Sequence, residues 1–444
     1  MRGWAVVRNG QPLEAVEVTT PEPTGTQVLL KTTYCGVCHS DLYFQDGYYD
    51  LGGGKRLSLQ DRGVTLPFIP GHETVGKVVA FGPEAKGVAI GDHRLVYPWA
   101  GCGKCKHCLS GNDQMCLTPR SLGVFRDGGY GTHVLVDRPE HLIDFGNVDP
   151  ALAATYACSG ITAYSAVRKL SEVEPDSPVV VIGAGGLGLA AISIFVALGY
   201  QKIVAVDVSD EKLEVAREAG AHAGVNAKSA DLADELVKAA GKPIYGVVDF
   251  VASSDTAKAG VAVLARGGTY VPVGLYGGDL TLPLPTIPLR AITIRGSYTG
   301  SQHELRELVD LAKSGKLRPM PVERVTHDDP NTALDRVRAG TVTGRLVLMP
   351  AFMPQLAGGI LHEMAPFPQS GADRLCACGS AVCDLLDPAA RLPDRAKSAD
   401  AAAQRCRLWC ARHRHGDRRD RPWHRPLDRR QHGDLGGVDV PARQ

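Results

Sequence analysis

Cys38 in Gly36-Val37-Cys38-His39-Ser40-Asp41, His72 in Gly71-His72-Glu73-Thr74-Val75-Gly76 and the distant Cys158 offer two thiolates and one imidazole. Together they can close three corners of a tetrahedral zinc site and leave the fourth open to water or substrate, as a catalytic metal requires. Isolated Cys and His are commonly buried packing residues, so spacing alone does not select these three. A second set is selected by spacing. Cys102-Gly103-Lys104-Cys105-Lys106-His107-Cys108 carries thiols at a three-residue interval, and Cys116 follows eight residues on. Four thiolates so close can wrap one zinc completely, which predicts a closed structural site. With those four on offer, His107 reads as a solvated loop residue.

A different chemistry is written further along. The apolar run Val179-Val180-Val181-Ile182 has the texture of a buried parallel strand. It runs into Gly183-Ala184-Gly185-Gly186-Leu187-Gly188, and residues 189–198 then form a helical stretch. A G-x-G-x-x-G between strand and helix is a dinucleotide fingerprint: the glycines let the backbone approach a pyrophosphate, and the helix N-terminus stabilises it. The next strand, Ile203-Val204-Ala205-Val206, ends in Asp207. A carboxylate there can accept both ribose hydroxyls of NAD and repels a 2′-phosphate, so NAD is expected over NADP. The plainer reading is an Asp that caps the turn after a strand.

The elements that must position these groups fall into two textures. Residues 1 to about 100 alternate short β-rich runs, such as 28–32 and 76–80, with Gly and Pro punctuation, which predicts a β-rich, barrel-like unit. Residues 46–67, with Gly52-Gly53-Gly54, read as an irregular surface loop at the mouth of the site. From about Pro150, helix and strand alternate, and strands at 246–251 and 268–274 complete a doubly wound sheet. The fold class is therefore α/β, a β-rich domain joined to a doubly wound dinucleotide-binding domain.

On the quoted motifs the sequence resembles the zinc-dependent medium-chain alcohol dehydrogenases over residues 1–350. The resemblance implies a GroES-like catalytic domain with a structural-zinc lobe over 1–158, a Rossmann NAD-binding domain over 159–297, and a return to the catalytic domain over 298–350, with Ile292 to Ser297 resembling the start of that return. It implies two zinc ions, one held by Cys38, His72 and Cys158 and one by Cys102, Cys105, Cys108 and Cys116. Ser40 matches the hydroxyl that takes the alcohol proton, and His39 matches a residue touching the pyrophosphate; a surface serine and a loop histidine are the alternatives. Asp41 fits a carboxylate that orients a ligand imidazole, as zinc histidines usually require. Glu73 matches a glutamate close to the metal, a transient ligand or proton acceptor. Lys212 matches a lysine near the ribose, against a solvated helix lysine, while Val273 and Leu275 match the nicotinamide pocket, against ordinary strand-end packing. The implied reaction is reversible oxidation of primary or secondary alcohols, with zinc acting as Lewis acid and hydride passing to NAD.

Three departures bear on mechanism. Tyr43 stands where relatives often have a histidine that ends the proton relay, and a tyrosine is a poorer base at neutral pH. Cys35 is an extra thiol; a Cys35-x-x-Cys38 redox pair would cost the zinc a ligand. Cys158 replaces the glutamate of polyol-type relatives and points to simple alcohols. The competing readings are an NADPH-dependent aldehyde or ketone reductase, opposed by Asp207, and a non-enzymatic zinc and nucleotide scaffold, for which three open-site ligands beside Ser40 serve no purpose.

Composition sets the remaining bounds. The chain has 444 residues, 22% of them charged, and a net charge of +1, with no nucleic-acid or membrane-surface footprint. Its start lacks a signal core, and its clustered cysteines fit metal ligation in a reducing compartment, so a cytoplasmic protein is expected; the resemblance implies a homo-oligomer acting on small molecules. Residues 351–444 differ: Arg is abundant, Lys397 is the only lysine, and apolar periodicity is missing. An unstructured tail is predicted, read as the product of a reading-frame shift in a GC-rich gene; the alternative is a basic metal- or nucleic-acid-binding tail using Cys376, Cys378, Cys383, Cys406 and Cys410.

Overall fold

Val179–Ile182 is buried at every residue, as a strand covered on both faces must be. Its side chains alternate: Val179 and Val181 pack in one hydrophobic cluster, Val180 and Ile182 in another. This strand is central to a six-stranded sheet in the order Ala223–Asn226, Ile203–Asp207, Val179–Ile182, Ile244–Asp249, Leu264–Pro272, Thr293–Ile294. All neighbours in it are parallel. Read in chain order the sheet runs 3-2-1-4-5-6, the doubly wound arrangement whose crevice lies where the order reverses. Helices Gly186–Ala197, Asp210–Ala219, Leu232–Ala240 and Ser254–Ala262 make the crossovers. The computed structural model describes residues 1–349, and the expectations for 351–444, the five tail cysteines included, lie outside the described residues.

The second sheet has seven strands, in the order Val322–Thr326, Arg345–Met349, Val28–Gly36, Glu73–Phe81, His93–Val96, Leu142–Ile143, with His133–Val136 also paired to Val28–Gly36. Arg345–Met349 therefore returns to the strands that carry the start of the chain; Val347 and Leu348 pair antiparallel with Gly36 and Cys35. The strand Val28–Gly36 ends two residues before Cys38, and Glu73–Phe81 begins directly after His72, so pairing these two strands brings the two ligand positions together.

Three sequence expectations need correction. Residues 46–67 are not wholly irregular: Tyr48–Asp50 and Arg56–Ser58 form a short antiparallel hairpin closed over the glycine run, with Gly52, Gly53 and Gly54 all at positive φ. Ile292 to Ser297 is not the start of the return, because Thr293 and Ile294 form the sixth strand of the parallel sheet, against Thr269 and Tyr270. The helix after the glycine turn also starts earlier than expected, at Gly186.

Candidate active site

Cys38 stands at the N-terminus of the helix His39–Asp46, where backbone N–H groups and the helix dipole favour a thiolate. Cys158 lies in a π-helical turn, Tyr156–Gly160, a local widening often found at functional sites. Their sulfurs are 3.8 Å apart, and the ligand atoms of Cys38, His72 and Cys158 all lie within 4.8 Å of one another. The hydrogen bond between the two sulfurs holds the Cys38 thiol well below its ordinary value and pushes Cys158 above its own. His72 is fully buried. Its Nδ1 meets Asp41 Oδ1 at 3.1 Å, while its Nε2 is buried without a hydrogen-bond partner among the described residues. A buried imidazole nitrogen facing two thiols is satisfied by a metal, so these residues fit a zinc ion with three protein ligands.

The surroundings hold this triad in place. Asp41 Oδ2 accepts from the Cys38 N–H at 2.9 Å and from the Tyr130 hydroxyl at 3.2 Å, so one carboxylate orients both ligand residues. Glu73 is held by protein groups on both oxygens: Oε1 accepts from the Ser159 N–H at 3.0 Å and Oε2 pairs with the buried Arg345 guanidinium. Burial nevertheless pushes the Glu73 carboxyl up to about 7, against the pull of Arg345. Trp99 flanks His72 at 5.4 Å between ring centroids, and its Nε1 donates to Ala157 O beside Cys158. Cys35 packs in a different cluster from Cys38, with its sulfur 3.8 Å from Thr74 Oγ1. Both thiols are free.

A cleft of about 450 Å³ runs from this triad to the glycine turn, its wall including Cys38, His39, Ser40, Tyr43, Gly185 and Asp207. Gly183 has φ +90°, and a Cβ at Gly188 would collide with the Gly183 carbonyl, so these two glycines let helix and strand meet. At Gly185 no atom lies within 4 Å of where a Cβ would be, and the turn is open toward the cleft, a cradle that fits a pyrophosphate. Asp207 reaches back to the same turn: Oδ2 accepts from Ala184 N at 2.8 Å and Oδ1 from Ser209 N at 3.1 Å. Gly186, Leu187 and Val273 line the cleft as well. Lys212 lines it too, but its Nζ donates to Gly340 O at 3.1 Å. The Leu275 carbonyl accepts from the Tyr43 hydroxyl at 2.8 Å.

In the neighbouring lobe Cys102, Cys105, Cys108 and Cys116 bring their sulfurs within 4.8 Å of one another, and His107 is not part of that group. The Cys105 sulfur is 3.5 Å from Cys108 and 3.7 Å from Cys116. Four thiols at such distances fit a closed zinc site. Sequence reasoning missed Trp99, Tyr130 and Arg345; of these, only Arg345 left a signal, a charge opening the apolar strand Arg345–Met349.

Family models match both sheets: "Alcohol dehydrogenase GroES-like domain" over residues 24–145 and "Zinc-binding dehydrogenase" over residues 186–314. The chain is 39% identical over 352 residues to an NAD-dependent alcohol dehydrogenase of Sulfurisphaera tokodaii, covering 79% of this chain and 100% of that protein. It is 38% identical, with the same coverage, to an NAD-dependent alcohol dehydrogenase of Saccharolobus solfataricus. The crystal structure of the alcohol dehydrogenase from Aeropyrum pernix superposes with a TM-score of 0.72 at 29% identity, over 79% of this chain and 100% of that one. With relatives aligned along their whole length and family models matching parts of both sheets, the chain belongs to the zinc-dependent medium-chain alcohol dehydrogenases.

Proposed function

We propose that the protein oxidises primary or secondary alcohols to aldehydes or ketones, reversibly, with NAD. The observation that carries this reading is that one cleft joins Cys38 and Cys158 to the Gly183–Gly188 turn and Asp207. When bound, zinc supplies a Lewis acid for the substrate oxygen and NAD supplies the hydride acceptor. Cys38, His72 and Cys158 hold the first of these, with Asp41 fixing the imidazole. Ser40, on the cleft wall two residues from Cys38, takes up the alcohol proton. The glycine turn and Asp207 bind the dinucleotide, His39 lies toward its phosphates, and Val273 and Leu275 border the nicotinamide end. Trp99 and the buried apolar wall exclude water from the reacting centre. Cys102, Cys105, Cys108 and Cys116 hold a second, structural zinc.

We assign residues 1–158 and 298–350 to a catalytic domain and 159–297 to a nucleotide-binding domain. No helix among the described residues is long and apolar enough to cross a membrane, and we place the protein in the cytoplasm. Assembly into a homo-oligomer is supported by the edge strand Thr293–Ile294, with Leu284, Leu289 and Ile294 exposed around it. The activity is tested by absorbance in the NADH band on adding NAD and a panel of alcohols, with and without a chelator. Alcohol-dependent NADH formation, lost on chelation and restored by zinc, is expected. No NADH from any alcohol would refute the reading.

A further inference from the structure

The charged groups on the cleft wall are nearly all accounted for. Arg345 pairs with Glu73, Arg338 pairs with Asp46 at 2.9 Å, Lys212 donates to Gly340 O, and Asp207 caps the glycine turn. Arg62 differs: it lines the cleft, makes no ion pair with any carboxylate of the described residues, and has the Tyr49 ring and the Tyr298 hydroxyl beside it. It comes from the segment that follows the hairpin over residues 48–58.

Its neighbours locate it. The Arg62 guanidinium lies 5.9 Å from the Tyr49 ring centroid. Tyr298 is exposed as a residue, yet burial around its hydroxyl pushes that phenol up, and the Arg62 guanidinium pulls it back by charge and by hydrogen bonding. Tyr298 in turn stands edge-on to Trp99 at 6.3 Å, and Trp99 flanks His72 at 5.4 Å. A line of aromatic rings thus leads from the metal triad toward an exposed guanidinium on the cleft wall. Val124 and Phe125 also line the cleft, and Asp207 is the one acidic side chain among its lining residues.

Resting on the alcohol oxidation proposed above, we infer that the cleft selects alcohols bearing a carboxylate at the end remote from the carbinol, separated by an apolar or aromatic body, with Arg62 as the anchor for that carboxylate. Arg presents a planar fork that matches a carboxylate with two parallel hydrogen bonds, and the aromatic walls set the distance between anchor and reacting carbon. Arg62 is a specificity residue, since it lies two rings away from the triad.

The test compares kcat/KM for para-(hydroxymethyl)benzoate and its neutral isostere para-(hydroxymethyl)benzamide, in the wild type and in Arg62→Ala, Arg62→Lys and Arg62→Glu. The wild type is expected to prefer the carboxylate by about ten-fold or more at low salt, with the preference shrinking as salt rises. Arg62→Ala should lower kcat/KM for the carboxylate roughly ten-fold more than for the isostere, chiefly through KM; Arg62→Lys should restore part of it and Arg62→Glu should reverse the preference. A wild type that prefers the neutral alcohol, or an Arg62→Ala variant that loses both substrates equally, would overturn the inference and leave Arg62 as a latch between the hairpin segment and Tyr298. If neither compound gives NADH, the activity reading fails instead. Calorimetric binding of para-(hydroxymethyl)benzoate then still decides Arg62: loss of binding in Arg62→Ala supports the anchor, and equal binding refutes it.

Discussion

The Tyr43 hydroxyl donates to the Leu275 carbonyl, and burial, with the Cys38 thiolate next, pushes its pKa up to about 12. A phenol so engaged ties the helix His39–Asp46 to the segment after Leu264–Pro272 and does not accept protons near neutrality. Tyr43→Phe is therefore expected to keep kcat within about three-fold, with an unchanged pH profile and a loss of about 1 kcal/mol of stability. A hundred-fold fall in kcat, measured across pH, would return Tyr43 to the proton relay. At Asp207 the expected change is one of preference. Asp207→Ser removes a charged acceptor for the ribose and a repulsion toward a 2′-phosphate, so the NAD/NADP ratio of kcat/KM should fall by about ten- to a hundred-fold. An unmoved ratio would show that Asp207 serves only the Ala184 and Ser209 amides.

At the scale of elements, the cysteine lobe is fastened to the seven-stranded sheet by a buried polar link. Arg138 donates to Asp113 Oδ1 at 2.8 Å and to His141 Nε2 at 3.0 Å, and the His141 carbonyl accepts from Tyr97 N at 2.8 Å. Burial lowers His141 to about 4, with Arg138 adding to the effect. The folded protein then resists a proton that the unfolded chain accepts near 6.5, so this group's contribution is present above that pH and is lost as pH falls toward about 4. At most it amounts to something on the order of 3 kcal/mol. Denaturant midpoints of the wild type should fall over this range more steeply than those of His141→Gln; parallel curves would contradict the assignment. Val179–Ile182 and Ile203–Asp207 were readable because unbroken apolar runs rich in β-branched residues end at glycine or aspartate. The hairpin at Tyr48–Asp50 and Arg56–Ser58 was not, since three-residue strands are too short for alternation to register. Thr293–Ile294 is shorter still. The Glu73–Arg345 pair spans 272 positions and has no local pattern at all.

For the whole molecule, the motifs were legible because strand pairing converts sequence order into proximity: Val28–Gly36 beside Glu73–Phe81 delivers Cys38 to His72. What no motif carried was the inner support, the Trp99 ring and the Tyr130 hydroxyl, because buried partners are chosen by the fold and not by neighbours in the chain. Every residue placed in the site precedes Met349, where the last described strand ends. Ending the chain after Pro350 is accordingly expected to leave kcat/KM per zinc within about two-fold and the melting temperature within about 2 °C. Loss of activity or of assembly would make residues 351–444 a working part and would dispose of the reading-frame explanation. The central claim is that two groups of ligands, one open and one closed, hold separate zinc ions. Its most direct test is the zinc content per chain of Cys158→Ala, measured beside its NADH formation. One zinc in place of two, with turnover abolished, is the predicted result; two zincs retained would contradict it.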